Sequence, residues 1–183
     1  MAEILADSKK MNDAVRAVAE SLIRKISRPH AAAFIGIHTH GVPLARRLQA
    51  IFDDSAGCET VFGTLDITLY RDDYDLRGLK PRIQSSEVRF AVDERELVLV
   101  DDVLFTGRTV RAAIEALGDY GRPRAIRLAA LVDRGRRELP IQPDAVGFSI
   151  DAEPEDRIRV RMTEIDGKDE VLLIPGGLKP PAQ

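Results

Sequence analysis

The chain has 183 residues, of which 44% are hydrophobic and 31% are charged, with a formal net charge of −3 at pH 7, and this predicts one domain with a single core. The single cysteine, Cys58, excludes an intrachain disulfide and favours a reducing compartment. No apolar run approaches the ~20 residues that span a bilayer and no basic-then-apolar leader is visible, so we expect a cytoplasmic protein with no membrane partner.

Hydrophobic periodicity predicts helices and strands in alternation along the chain. The predicted helices cover residues 11–26 (after a cap at Asp7 or Ser8), 42–52 and 108–117. The predicted strands cover residues 32–37, 61–69, 97–100, 125–132 and 157–161. Because most strands are followed by helices, we expect an α/β fold with a mainly parallel central sheet flanked by helices.

Two adjacent carboxylates, Asp101 and Asp102, follow the apolar strand 97–100. They are expected at the carboxyl edge of the sheet, where open α/β sheets bind ligands. Just beyond them, Gly107 allows close approach of the backbone, Thr106 and Thr109 offer hydroxyl donors, and the free N–H groups of a helix start attract phosphate. The carboxylates suit vicinal hydroxyls, or Mg²⁺ reached through water or sugar oxygens. The whole string predicts a ribose 5-phosphate site.

Other interpretations of this string are weaker. Asp101 and Asp102 as simple loop caps would explain the two carboxylates but not the turn and helix behind them. A Walker loop is excluded because Gly-Lys-Ser/Thr is missing, and a Rossmann fingerprint is excluded because G-x-G-x-x-G is missing.

Residues 101–113, DDVLFTGRTVRAA, resemble the phosphoribosyl pyrophosphate (PRPP) motif of type I phosphoribosyltransferases. The form is closest to the PyrR family, bacterial pyrimidine operon attenuation regulators that are also uracil phosphoribosyltransferases. Further segments stand in that family's order: GIHTHG (36–41), LDITLYRDD (65–73), GRP (121–123) and LVDRGRRELPI (131–141). The resemblance covers residues 10–174, and it implies a single type I phosphoribosyltransferase domain at 1–174 with a flexible tail at 175–183.

The resemblance also implies roles for the site residues. GIHTHG becomes the pyrophosphate loop, and residues 70–90, here called the hood loop, form a flexible cover that closes over PRPP. Asp101 and Asp102 would be catalytic and hold Mg²⁺ indirectly, together with Arg71 and Asp72 of the hood loop as catalytic residues. The implied PRPP and nucleotide contacts are Thr39, His40, Tyr70, Asp73, Asp101, Asp102, Val103, Leu104, Phe105, Thr106, Gly107, Arg108, Thr109, Asp133 and Arg134. A solvated surface loop is the alternative for residues 70–90.

The chain departs from its relatives at His40, where they commonly carry arginine. A neutral imidazole supplies one donor in place of several, which predicts weaker or pH-dependent pyrophosphate binding. Alternatively, His40 is only a loop residue. A zinc site on His38 and His40 is not expected, because the sequence offers no nearby third ligand.

The implied reaction joins uracil to PRPP, giving UMP and pyrophosphate with Mg²⁺ as cofactor. The implied partners are UMP or UTP, messenger RNA of the pyrimidine operon (pyr mRNA), and further copies of the chain in a homodimer or larger assembly. Candidate RNA contacts are Arg136, Arg137, Arg157, Arg159 and Arg161, since local basic patches neutralise phosphates.

Several observations keep other functions open. The calculated pI of about 5.7 is not that of a typical RNA binder. Relatives have histidine at Arg136, a basic residue at Gln142, and a different run at residues 148–151. A phosphoribosyltransferase for another base without RNA binding, or a non-catalytic nucleotide sensor, would explain the same motifs, and the arginines of 157–161 would then be solvated or lie in a subunit contact.

Overall fold

The computed structural model describes residues 1–68 and 85–178. Its strands are β1 (Glu3–Ala6), β2 (Ala32–Ile37), β3 (Val61–Leu65), β4 (Glu96–Leu104), β5 (Ala125–Asp133), β6 (Ala145–Ser149), β7 (Arg157–Arg161) and β8 (Glu170–Ile174). Its α-helices are α1 (Ser8–Lys25), α2 (Gly41–Ala56), α3 (Arg108–Leu117) and α4 (Thr163–Asp166). Within these residues, no helix combines the length and apolar content needed to cross a membrane.

Five strands form a parallel sheet in the order β3-β2-β4-β5-β6. Alternate residues of its central strands face opposite layers: Phe34 and Val98 pack towards α1 and α2, whereas Ile35 and Leu99 pack towards α3. Both faces are therefore buried, as the continuous apolar strands predict. The expected α/β fold with a mainly parallel central sheet is confirmed.

A second, antiparallel sheet has the order β1-β8-β7, and periodicity did not predict it as a sheet. Residues 157–161 do form the predicted strand, with Ile158 and Val160 buried in the α1–α2 core and Arg157 and Arg159 exposed on the other face. The second sheet therefore covers the same side of the main sheet as α1 and α2.

The predicted strand 61–69 was too long. β3 ends at Leu65, because Asp66 starts a turn in which its carboxylate accepts hydrogen bonds from the N–H and hydroxyl of Thr68. The N–H of Asp66 donates to the Ser86 hydroxyl at 2.9 Å rather than to a ladder partner. Leu69 lies outside the described residues.

The predicted strand 97–100 was too short. β4 continues through Asp101 and Asp102 to Leu104, because β5 pairs with it as far as Leu104 and Asp133. Helix α2 is also one turn longer than predicted, ending at Ala56 before Gly57, whose φ is 63°. Both boundaries were set by contacts or backbone geometry that the apolar pattern does not carry.

The first residues of the predicted tail fold back on the domain. Residues 175–178 form a turn in which the N–H of Gly176 donates to Asp156 at 2.9 Å and the N–H of Leu178 donates to the Glu155 carbonyl at 2.8 Å. The rest of the tail, residues 179–183, lies outside the described residues.

An arginine joins α2 to the second sheet. The Arg47 guanidinium donates two hydrogen bonds to Glu164, at 2.8 and 2.6 Å, and two to Asp169, at 2.7 and 2.8 Å. Hydrogen bonding to Arg47 holds the pKa values of both carboxyls below their ordinary range and outweighs the opposing effect of burial. The connection between β7 and β8 is therefore fixed to the helix by a charged fork.

We predict that Arg47→Met lowers the free energy of unfolding by roughly 2–3 kcal/mol at pH 7, as expected for losing hydrogen bonds between charged groups. Because the carboxyl pKa values are lowered in the folded state, this stabilisation is complete above their unfolded values near 4 and is lost as pH falls through the folded values. The difference between wild type and variant in urea denaturation should therefore shrink below about pH 4.

Lys9→Met is the control, because Lys9 pairs with Asp13 at 3.1 Å on an exposed helix face where an ion pair contributes little. Equal losses in the two variants would contradict a specific role for the Arg47 fork.

Candidate functional site

Three loops meet at the carboxyl edge of the parallel sheet. They follow three neighbouring strands: residues 38–41 follow β2, residues 105–108 follow β4, and residues 134–141 follow β5. The edge is the one at which open α/β sheets bind ligands.

The two carboxylates, Asp101 and Asp102, lie at this edge, in the last four residues of β4. Asp101 is buried, with 6% of its surface exposed, and its Oδ1 accepts the N–H of Asp102 at 3.0 Å. Gly41, at the start of α2, packs so tightly against β4 that a Cβ there would lie 2.5 Å from the Val100 carbonyl oxygen. The glycine thus brings residues 38–41 directly against the backbone that carries both carboxylates.

The loop 38–41 presents backbone and hydroxyl groups at the surface. Thr39 is exposed, the His38–Thr39 peptide is cis, and the N–H of His38 donates to the Leu65 carbonyl at 3.0 Å. The Nε2 atom of His38 is buried and has no hydrogen-bond partner in the part of the chain that the structure describes. In residues 1–68 and 85–178, no three His, Cys, Asp or Glu side chains are grouped as a metal would require.

His40 faces the second sheet. Its Nε2 lies 3.0 Å from Oδ2 of Asp166, and both side chains are mostly buried. Burial raises the pKa of Asp166, but the N–H of Met162 and the hydrogen bond and charge of His40, with Arg159, outweigh it and leave the pKa below its ordinary value. The predicted pyrophosphate contact is thus also a link to α4.

The loop 105–108 has the shape expected of a phosphate cradle. Gly107 adopts φ 93°, and α3 begins directly after it with no side-chain cap, so its N-terminal dipole points to the site. The Thr106 carbonyl accepts the N–H groups of Glu138 and Leu139 at 3.0 and 3.2 Å, and Arg108 donates to Glu138 at 2.7 Å. The loop after β5 therefore supports the loop after β4.

A cavity of about 360 Å³ opens beside the loop after β5. It is lined by Asp133, Arg134, Gly135, Ser149, Ile150 and Asp151. The carboxylate of Asp133 accepts the N–H of Gly135 at 2.8 Å and pairs with Arg137 at 2.7 Å, so it shapes the loop from within. The volume is ample for one planar base.

Arg134 lines the cavity, but its guanidinium is directed elsewhere. Only 3% of the residue is exposed, and the group lies 3.8 Å from the centre of the Phe105 ring while donating to the carbonyls of Asp156 and Glu153 at 2.7 and 3.0 Å. Burial lowers its pKa from the ordinary arginine value. Arg134 thus holds residues 153–156 against the loop after β4.

The candidate RNA contacts divide by exposure. The Arg137 guanidinium is 12% exposed and donates to the carbonyls of Ile141, Phe105 and Gly135, so it presents little charge to a partner. Arg136 is 43% exposed and donates to the Ala152 carbonyl at 3.0 Å.

The arginines of β7 share one face, as the alternating pattern predicts. Arg161 pairs with Glu170 at 2.8 Å, and Arg159 lies 3.9 Å from Asp166. Arg157 has no ion-pair partner among the described residues. The free positive charge of this face is therefore greatest at its Arg157 end.

Most of the hood loop, residues 70–84, lies outside the described residues. The candidate residues Tyr70, Arg71, Asp72 and Asp73 lie outside the described residues. Of the described end of this loop, Glu87 pairs with Thr64 of β3 through two backbone hydrogen bonds of 2.8 and 3.1 Å.

The sequence did not single out the acidic connection between β7 and β8. Its acids contact residues far away in the sequence. Glu164 and Asp169 bind Arg47 over separations of 117 and 122 residues, and Asp166 contacts His40 over 126 residues. The one signal available was the density of acids in TEIDGKDE, which by itself is typical of a solvated turn.

Comparison with known proteins agrees with this geometry. Residues 1–163 match the family described as phosphoribosyl transferase domain. The chain is 51% identical to the bifunctional protein PyrR of Chloroflexus aurantiacus, over 78% of each chain. It is 41% identical to that of Syntrophobacter fumaroxidans, over 93% of this chain and 91% of the relative, and 43% identical to that of Thermus thermophilus, over 92% and 93%.

Solved structures with the same fold are more distant in sequence. A hypoxanthine phosphoribosyltransferase from Staphylococcus aureus aligns with a TM-score of 0.68 at 17% identity, covering 97% of this chain and 93% of that chain. A hypoxanthine-guanine phosphoribosyltransferase from Bacillus anthracis aligns with a TM-score of 0.70 at 15% identity, covering 94% and 97%. At these identities the likeness shows the fold alone.

We predict that Gly107→Ala weakens binding of PRPP about tenfold, because φ 93° is strained for a residue with a Cβ and that Cβ would also meet Ile141 at 3.3 Å. Isothermal titration calorimetry with PRPP and Mg²⁺ measures the change. Gly118→Ala is the matched control, since Gly118 has φ −58° and open space around a Cβ. Equal affinities in the two variants would show that the cradle does not need its left-handed residue.

Proposed function

The chain belongs to the phosphoribosyl transferase domain family and, within it, to the bifunctional PyrR proteins, and we propose from this membership that it transfers phosphoribosyl from PRPP to uracil. In that reaction the bond from ribose C1′ to the pyrophosphate oxygen breaks, a bond from C1′ to uracil N1 forms, and N1 loses its proton. The products are UMP and pyrophosphate. The observation that carries the proposal is the meeting of the three loops at one edge of the sheet, where the loop after β5 also lines the 360 Å³ cavity.

In this proposal, each loop lies at the binding site of a different part of the substrates. The loop 38–41, with Thr39 and its exposed backbone, receives the pyrophosphate, and the cradle at 105–109 receives the 5-phosphate through N–H groups and hydroxyls. Asp101 and Asp102 lie between the two loops and accept hydrogen bonds from the ribose hydroxyls. The cavity beside Asp133 and Ser149 holds the uracil.

Catalysis in this arrangement is a matter of placement and charge. As the bond to pyrophosphate lengthens, positive charge develops on the ribose ring, and the carboxylates of Asp101 and Asp102 lie where they stabilise it. The fixed loops hold C1′ and N1 in line, which removes most of the entropic cost of their encounter. No covalent intermediate with the protein is required.

Mg²⁺ is part of the proposal, with Asp101 and Asp102 as the residues that would hold it. Asp101 and Asp102 have no third acidic or histidine ligand grouped with them among the described residues, and two such carboxylates fit an ion bound mainly by substrate oxygens and water. When bound, the ion would neutralise charge on the leaving pyrophosphate. The hood-loop residues Tyr70, Arg71, Asp72 and Asp73 are proposed to complete the site when that loop closes over PRPP and excludes water.

The second proposed activity is binding of pyr mRNA in a manner that depends on UMP or UTP in the same site. It is supported by the name of the relatives, bifunctional PyrR, and by the exposed arginines of β7. Among the described residues, Arg159 and Arg161 pair with acids and Arg157 does not. We therefore place the phosphate-binding face at Arg157, although the net charge of the chain is −3. The proposal includes the cytoplasm as location and self-association as a dimer or larger assembly.

We predict that the protein forms UMP from uracil, PRPP and Mg²⁺, and that Asp101→Asn/Asp102→Asn lowers the rate by at least about a hundredfold through loss of charge stabilisation. Chromatographic separation of UMP from uracil measures the reaction. Hypoxanthine and orotate serve as competing acceptors in parallel reactions. Product from one of these but not from uracil would replace the base in the proposal, and no product from any base would favour a nucleotide sensor.

For RNA binding, we predict that Arg157→Gln reduces the slope of log affinity against log salt by about 0.7–1 for pyr mRNA in the presence of UMP. Filter binding between 50 and 200 mM salt, the range over which such contacts matter, measures the slope. Arg111→Gln is the charge-matched control, since Arg111 lies on α3 across the main sheet and pairs with Glu115 at 3.5 Å. An unchanged slope in Arg157→Gln would exclude the β7 face as the contact.

A further inference from the structure

We propose that Asp166 is a positioning residue for the pyrophosphate loop and acts on it through His40. This inference rests on the proposed function, because it assigns to a residue of the second sheet a part in holding the leaving group's site. Asp166 itself does not touch the substrate.

The first observation is the contact itself. His40 is the last residue before α2, and its Nε2 lies 3.0 Å from Oδ2 of Asp166 across 126 positions of sequence. The side chains are 23% and 15% exposed, so water competes for this hydrogen bond only in part.

The second observation is that Asp166 is itself held. Its Oδ2 also accepts the N–H of Met162 at 3.0 Å, and Met162 is fully buried in the core. Because Asp166 is anchored in this way, it can fix the position of the His40 side chain, whereas a freely rotating surface acid could not.

The third observation is the construction of the loop that His40 ends. At its base, Gly36 and Gly41 pack against backbone so closely that a Cβ on either would lie 2.5 Å from the Val42 Cα or from the Val100 carbonyl oxygen. Between these anchors Thr39 is exposed. The hydrogen bond that His40 donates to Asp166 thus holds the outer side of the loop. A loop held on both sides loses less entropy when an anion binds.

Two effects of Asp166 on an anion have opposite signs. Its negative charge repels pyrophosphate, whereas its hydrogen bond orders the loop that receives it. We place positioning above repulsion, because Oδ1 faces Arg159 at 3.9 Å and Oδ2 faces His40 and a backbone N–H, so the charge is largely satisfied by its neighbours.

The test compares Asp166→Ala with Asp166→Asn and with Glu164→Ala. Asp166→Ala removes the acceptor, Asp166→Asn keeps an oxygen that can accept from His40 and Met162, and Glu164→Ala removes one charge from the same helix without touching His40. Calorimetry measures PRPP binding with Mg²⁺ and without uracil, and steady-state assays give the KM values of both substrates.

We expect Asp166→Ala to weaken PRPP binding and raise its KM about tenfold, as for one lost charge-assisted hydrogen bond, with the KM of uracil unchanged. Asp166→Asn should recover most of the affinity, and Glu164→Ala should bind PRPP as wild type does. In a His40→Ala background, Asp166→Ala should have no further effect, because its route to the loop is gone.

Other results would overturn the inference in distinct ways. Tighter PRPP binding by both Asp166 variants would mean that repulsion dominates, and equal losses in Asp166→Ala and Glu164→Ala would mean that the turn matters only for stability. Additive effects of the two alanines at His40 and Asp166 would exclude His40 as the route. If wild type binds no PRPP, the proposed function fails and takes this inference with it, whereas binding that ignores Asp166 overturns only the inference.

Discussion

Parallel pairing of β2, β4 and β5 is the constraint on which the rest of the structure depends. Parallel neighbours end at the same edge of a sheet, so the loops that follow them must meet there, although they lie at residues 38–41, 105–108 and 134–141. The loops then need to approach one another closely. Glycines at positions 36, 41 and 107 permit this approach, because a Cβ at the first two would overlap backbone and the third adopts a positive φ.

Arginines hold the loops that the strands bring together. Arg137 joins the cradle to the loop after β5, Arg134 joins that loop to residues 153–156, and Arg47 joins α2 to the second sheet. A buried guanidinium is costly unless its donors are used, and here carbonyl and carboxylate oxygens accept most of them. The planar fork with several donors suits this work, since one side chain can contact two segments at once. These three arginines therefore have structural roles.

Local sequence patterns predicted the helices and strands of this molecule more accurately than they predicted its long-range contacts. Residues 32–37 and 108–117 were predicted with the bounds that β2 and α3 have, because an unbroken apolar run and a helical spacing are complete within each segment. The second sheet was missed because β1 is only four residues long and pairs with β8, near the other end of the chain. The positions of the two candidate loops after β2 and β4 follow from sequence for the same local reason, whereas the partner of His40 does not.

The distribution of charge explains how an acidic chain can serve polyanionic ligands. Acids gather in the connection between β7 and β8, where Glu164 and Asp169 both pair with Arg47. Asp166 lies between His40 and Arg159. Salt screens the interaction between exposed charges beyond a Debye length, which is about 8 Å at physiological ionic strength. The charges nearest to a bound phosphate therefore affect it more than the net charge of the chain does. At the proposed cradle these are N–H groups, and at the end of β7 they are the side chain of Arg157, which has no ion-pair partner among residues 1–68 and 85–178. A net charge of −3 is thus compatible with both proposed phosphate sites, because Glu164, Asp166 and Asp169 each lie beside a basic side chain.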